Sequence, residues 1–297
     1  MRDEVSIPVL PDLSSIDFSC TFGIRELVRE RRDHLFGSPE VEYIDGFMDA
    51  IDELFTGRHS DYQAVDTGYH DIAHTLQATL CLVELLHNRH FSAATPRIVA
   101  DDFRRALIAV LFHDVGYLKH RDDREGTGAK YTHVHEQRSC EFVRDYLPQW
   151  GWPAGEIRAV ENMISATGPR AVVTRIDFQS DTERTLGQAV CTADYIGQMS
   201  DPSYPDKLEV LFGEFEESYR YQGIPEKEWP FPSYQAMLGG TPDFWSSFAQ
   251  HKLNVECAGI YNYLRHPRTG DNPYLESIEC NLAVIERKIA RPGTDRS

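Results

Sequence analysis

Twelve histidines stand in this chain, and several sit beside carboxylates at spacings that suit metal chemistry. Tyr69-His70-Asp71-Ile72-Ala73-His74 places two imidazoles four residues apart, on one face if the segment is helical. Surface histidine pairs share that spacing, so the pair alone is a weak signal. Leu111-Phe112-His113-Asp114 ends an apolar run with an imidazole and a carboxylate, which are costly to bury unless paired or metal-bound. Thr132-His133-Val134-His135-Glu136 follows at the start of a further helical pattern. Asp194 then lies among Leu186, Val190, Ala193 and Ile196 with no local cation. That is the position of either an exposed helical acid or a buried metal ligand. Imidazole plus carboxylate suits Mn, Mg, Zn, Ni or Fe, not copper or an iron–sulfur cluster.

The elements that must hold these residues read as helices almost throughout. Ile24, Leu27, Val28 and Leu35 fit one stripe, and Val41, Ile44, Phe47, Met48, Ile51 and Phe55 a second. A long helix is expected from about His70 to His87, and another after the acids Asp101 and Asp102. Further helices are expected over 134–147, 154–166, 182–199, 204–219, 242–265 and 273–290, with a charged surface loop over 119–132. The strand-like run Ala171–Ile176 is short and isolated, so a sheet is not expected. The fold class is therefore all-α, about ten helices in one compact bundle. Within it, residues 1–20 read as an extended N-terminal arm, 21–222 as the catalytic helical core, and 223–297 as C-terminal helices packed on that core. The Pro-, Gly- and aromatic-rich stretch Gly223–Gly240 reads as a surface excursion, and Trp229, Phe231, Tyr234, Phe244, Trp245 and Phe248 as helix packing or a pocket wall.

The order His, His-Asp, His, Asp resembles the HD-domain metal-dependent phosphohydrolase superfamily over roughly residues 65–220. Tyr69-His70-Asp71-Ile72-Ala73-His74 is similar to the YHNxxH signature of its class I cyclic-nucleotide phosphodiesterase branch, with Asp71 in place of Asn. Ala166-Thr167, and Thr192-Ala193-Asp194 followed by Pro202, also look like that branch. The chain departs from it at Tyr117, where that family has His, at Cys191, where its HxAD motif has His, and at Gly168, where an Asp usually stands. The resemblance implies one or two divalent metal ions, with His74, His113, Asp114 and Asp194 holding the first and Asp114 bridging to a second. His70 would be the general acid; His135, or else His133, would line the second-metal or phosphate side. Lys119 and Arg170 are candidate substrate contacts, as are His120, Arg121 and Arg175. The implied activity is hydrolysis of a phosphate ester or phosphodiester, with a nucleotide, cyclic nucleotides included, as the expected substrate. Two other readings stay open: an HD-fold di-iron oxygenase, which would recruit His133, His135 and His120, and a non-catalytic regulatory module.

Composition bounds the partners. Thirty Lys+Arg against 47 Asp+Glu give a formal charge of −17, and hydrophobic residues make up 41%, the profile of a globular chain. No basic block stands ready to neutralise a nucleic-acid duplex or a membrane surface, whereas a bound metal can still attract a phosphate-bearing small molecule. The N-terminus does not read as a signal peptide, and the six scattered cysteines form no CxxC pair. The expectation is therefore a cytoplasmic protein with reduced, mostly buried thiols, with homo-oligomerisation left open.

Overall fold

The computed structural model describes residues 13–37, 42–266 and 269–290. Among the described residues, ten α-helices make up the fold: α1 (Thr21–Phe36), α2 (Glu42–Phe55), α3 (Ile72–Phe91), α4 (Ala100–Phe112), α5 (His135–Tyr146), α6 (Ala154–Ser165), α7 (Asp181–Ser200), α8 (Tyr204–Tyr221), α9 (Tyr234–Asp243) and α10 (Pro273–Ala290). No strand forms among the described residues; Tyr62 and His120 make one isolated bridge. The run at 171–176 is a 3₁₀ turn, Val173–Arg175. Among the described residues, no helix is long and apolar enough to cross a membrane.

Helix α3 is the axis. Every residue from His74 to His87 is buried, which is what a helix packed on all sides requires. It contacts α1, α4 and α7. Its crossing with α7 is unusually close: a Cβ at Gly197 would lie 3.0 Å from Ala78 Cα and N. His74 stands one turn before Ala78, and Asp194 three residues before Gly197. The glycine thus lets the two helices approach until those side chains meet. Because tertiary burial exceeds what one apolar stripe specifies, the strength of this packing is only partly encoded in periodicity.

Two expected elements differ from the observed ones. The long helix begins at Ile72, because the Asp71 carboxylate accepts the His74 N–H at 2.9 Å and caps it. His70 therefore lies in the preceding turn, not on the helix face, with its carbonyl accepting the Thr67 hydroxyl at 2.6 Å. The single helix expected over 242–265 is instead the end of α9, two π-helical stretches (Phe244–Ala249 and Lys252–Glu256) and a 3₁₀ turn (Ile260–Leu264). Pro242 removes an amide donor inside α9, and Ala258 and Gly259 turn left-handed (φ 53° and 64°), so regular winding cannot run through.

The stretch at 223–240 is more than a surface excursion. Ser233 caps α9 by accepting from Ala236 N at 3.1 Å, and Met237 and Leu238 are buried. Helix α10 returns onto α7: Asn281 donates to the carbonyls of Met199 (2.9 Å) and Asp201 (2.7 Å), and Ser277 to that of Ser200 (2.6 Å). Of the expected N-terminal arm, residues 1–12 lie outside the described residues. Leu13–Ser15 is a 3₁₀ turn, and Leu13, Ile16 and Phe18 pack against the core. The six cysteines are free thiols, four of them buried.

Candidate metal centre and cavity

Four side chains from three parts of the chain converge. His74 comes from the first turn of α3, His113 and Asp114 from the end of α4, and Asp194 from the middle of α7. His74 Nε2 lies 3.2 Å from Asp114 Oδ2, 3.2 Å from Asp194 Oδ1 and 3.3 Å from His113 Nε2. His113 Nε2 lies 3.3 Å from Asp114 Oδ2 and 3.5 Å from Asp194 Oδ1. Spacings of this size are those of ligands around one ion at about 2.0–2.2 Å, the range for His and carboxylate donors. Asp114 Oδ2 is buried with no hydrogen-bond donor of its own, an orphan that a cation would satisfy. The His113 Nδ1–H donates to Val110 O at 2.7 Å, which leaves its Nε2 lone pair facing the cluster. Nothing comparable holds His74 Nδ1, which is buried without a partner. The donor set fits a divalent ion.

Electrostatics point the same way. Both carboxylates are buried, and no described lysine or arginine pairs with either. Burial alone would raise their pKa values, yet the neighbouring imidazoles hold both well below the usual carboxylate range. Conversely, burial would lower His74, but Asp114 and Asp194 lift it to about 9, and His113 also rises well above its ordinary value. The cluster therefore demands positive charge, which protons or a metal ion can supply.

Beside it lies a cavity of about 270 Å³. Asp114, central to the cluster, turns its other oxygen, Oδ1, toward His135 Nε2 at 3.6 Å. His135 donates from Nδ1 to Thr132 O at 2.7 Å, so its Nε2 lone pair also points inward. Gly116 makes this juxtaposition possible: a Cβ there would fall 1.9 Å from His135 O, and Ser139 Oγ bridges Gly116 N (2.8 Å) to His113 O (2.6 Å). His70, Tyr117 and His135 form a stack on one wall, with centroids 4.4 and 4.6 Å apart. His70 Nδ1 meets Glu214 Oε2 at 2.5 Å, and its Nε2 is 3.4 Å from the Tyr117 hydroxyl. Burial, Asp114 and Glu214 all push the Tyr117 phenol well above its ordinary pKa, so it stays neutral.

The structure thus brings together His70, His74, His113, Asp114, His135 and Asp194. It does not bring in the rest. His133 lies 3.2 Å from Ser218 Oγ, edge-on to Tyr219, and does not line the cavity. Lys119 is buried in an ion pair with Asp66 (2.8 Å), donates to Gly126 O (2.6 Å) and does not line the cavity. His120 stacks on Tyr62, and Arg121 donates to the carbonyls of Gly57, His59 and Ser60. Arg170 and Arg175 are exposed and outside the lining. An iron centre needing His133 and His120 as extra ligands therefore lacks them. The acidic neighbour of His70 is Glu214 of α8, which also accepts from Tyr69 N at 2.6 Å. Its distance along the chain, 144 residues from His70, hid it.

A family profile described as Npun_R2479-like matches residues 29–142, the part that holds His70, His74, His113, Asp114 and His135. No curated protein sequence matches the chain. Among solved structures, the chain is similar to the phosphodiesterase domain of the RhoPDE fusion protein from the choanoflagellate Salpingoeca rosetta. The TM-score is 0.58 at 15% identity, over 97% of this chain and 96% of that one. A second structure, of the phosphodiesterase domain of the Salpingoeca rosetta rhodopsin phosphodiesterase, gives a TM-score of 0.57 at 16% identity, over 95% and 91%. At such identity the likeness is one of fold: this chain has the fold of those phosphodiesterase domains.

Proposed function

We propose that the protein is a metal-dependent phosphohydrolase acting on a small phosphate ester or phosphodiester. The observation that carries this reading is the four-ligand cluster at one end of a cavity, with the His70–Glu214 pair on its wall. His74, His113, Asp114 and Asp194 would hold the first divalent ion; Asp114 Oδ1 and His135 Nε2 face the place of a second. A divalent ion there supplies Lewis acidity toward a phosphoryl oxygen and a lowered pKa for bound water.

The chain's own residues supply the proton traffic. Glu214 accepts from His70 Nδ1, which orients the ring and leaves Nε2 to donate to a leaving oxygen. Tyr117 stacks on that ring, with His135 stacked on Tyr117 in turn, and fixes its plane. No lysine or arginine among the described residues lines the cavity, so recognition of the phosphate falls to the metal end. The fold of the solved phosphodiesterase domains supports the hydrolase reading. Bis(p-nitrophenyl) phosphate should be turned over, the activity should vanish with a chelator and return with one of Mn, Mg, Zn, Ni or Fe, and no oxygen should be consumed. Turnover that requires oxygen, or none with any of these ions, would overturn the proposal.

A further inference from the structure

Away from the metal end, the cavity is apolar. Leu208, Leu211 and Phe215 line it from α8, Met237 from α9, and Phe231 and Phe244 from the flanking turns. Phe215 and Phe231 stack with centroids 6.1 Å apart. Its one carboxamide, Gln198, is already engaged: Oε1 accepts from the Tyr69 phenol at 2.8 Å, and Nε2 reaches Asp194 O at 3.2 Å. Thr132, Thr167 and Thr241 donate to carbonyls of their own turns, at 2.6, 2.8 and 3.0 Å. Tyr195 and Tyr204 also line the space, and each phenol brings one O–H that can donate or accept. A nucleobase carries several donors and acceptors on its edges. Each one buried without a partner costs about tenfold or more in affinity.

We propose that the phosphate's substituent is a hydrocarbon, an aryl or branched alkyl group, and not a nucleobase. This rests on the reading of the metal end as the phosphate site. A dry apolar cavity of about 150 Å³ already accepts benzene, so the space here suits one ring beside a phosphoryl group. Gly240 of α9 faces the same space. A Cβ there would meet only Phe231 Cε1, at 4.0 Å, so a longer side chain would grow into the cavity without a clash at its root.

The test is calorimetric binding to the metal-loaded full chain, with phenylphosphonate, methylphosphonate and adenosine 5′-monophosphate as probes. Phenylphosphonate should bind roughly tenfold or more tightly than methylphosphonate, from the added buried apolar area, and more tightly than the nucleotide. Gly240→Leu should bring the phenyl-to-methyl ratio to within about threefold of one, because a leucine side chain would take the ring's volume. Tightest binding of the nucleotide, a ratio near one in the unmodified protein, or a ratio untouched by Gly240→Leu overturns the inference. If none of the three phosphoryl probes binds, the phosphate reading fails, and toluene then decides: its binding to the unmodified protein and not to Gly240→Leu upholds the apolar site, and its failure to bind overturns it.

Discussion

At the residue scale, His70 is the group whose role is most sharply testable. It sits outside α3 and touches no cluster atom within bonding distance; its ring is tied to Glu214 instead. His70→Ala should keep the metal and lower kcat by roughly 10²–10⁴-fold on poor leaving groups, the worth of a positioned proton donor. With a nitrophenolate leaving group the loss should shrink. An equal loss on both, in a kcat comparison at saturating substrate, would make His70 a positioning residue, and loss of metal would make it a ligand. The ligand residues were legible because the chemistry needs rare types in order. Glu214 was not, because nothing local marks which acid folds back on which imidazole.

A second titratable group lies far from the cavity. His87 of α3 is buried, with Nε2 2.8 Å from His34 Nδ1. Burial, with some help from the nearby Arg31, His34 and His90 charges, lowers its pKa from 6.5 to about 4. Below pH 6.5 the unfolded chain takes a proton that the folded chain refuses, so stability drains away as the pH falls from 6.5 to 4. Its neighbour Glu84, pushed up from 4.5 to about 7 by burial in spite of Arg31, acts in the opposite sense and loses stability as the pH rises across that window. Comparing the protein with His87→Gln isolates the imidazole. Urea unfolding should show the unmodified protein losing roughly 2–3 kcal/mol relative to the variant between pH 6.5 and 4. A difference that stays flat with pH would contradict this.

At the scale of elements, the site depends on how closely α3 and α7 cross. Gly197 has no room for a side chain against Ala78, so Gly197→Val must push the helices apart and separate His74 from Asp194. The expected cost is about 1–3 kcal/mol of stability from overpacking, together with weaker metal retention in equilibrium dialysis. Unchanged metal affinity in a variant that is destabilised by that amount would show that the crossing does not set the ligand spacing. Periodicity revealed that α3 and α7 are helices, since their apolar positions recur at helical spacing. It could not reveal their separation, which a single glycine controls. Nor could it foresee that Asp71 would start the long helix two residues after His70, or that Pro242 and Gly259 would break the helix expected over 242–265 into π and 3₁₀ turns.

At the scale of the whole molecule, the described residues after 222 complete the core and close the cavity. Phe231, Met237 and Phe244 form its apolar wall, and α10 satisfies carbonyls at the end of α7. A fragment ending at residue 222 would expose that face of α7 and leave those carbonyls unpaired. It should therefore show little of the helical circular dichroism per residue of the full chain and no cooperative melting. A fragment that folds cooperatively and binds metal would make 21–222 a self-sufficient domain. The all-α class was readable along the whole chain, whereas this dependence was hidden, because Gly239, Gly240 and Pro242 look like loop residues until Met237 and Leu238 are seen to anchor them.

The central claim is that His74, His113, Asp114 and Asp194 form a metal site. Metal content after exhaustive dialysis, measured by plasma mass spectrometry on the unmodified protein and on Asp114→Ala, tests it most directly. The unmodified protein should retain about one to two equivalents of a divalent ion, the number a mono- or two-metal hydrolase holds. Asp114→Ala, folded by circular dichroism, should retain well under about 0.1 equivalent, because the carboxylate that touches both imidazoles is gone. An unmodified protein that binds no divalent ion when one is supplied, or a variant that keeps the full stoichiometry, would contradict the account.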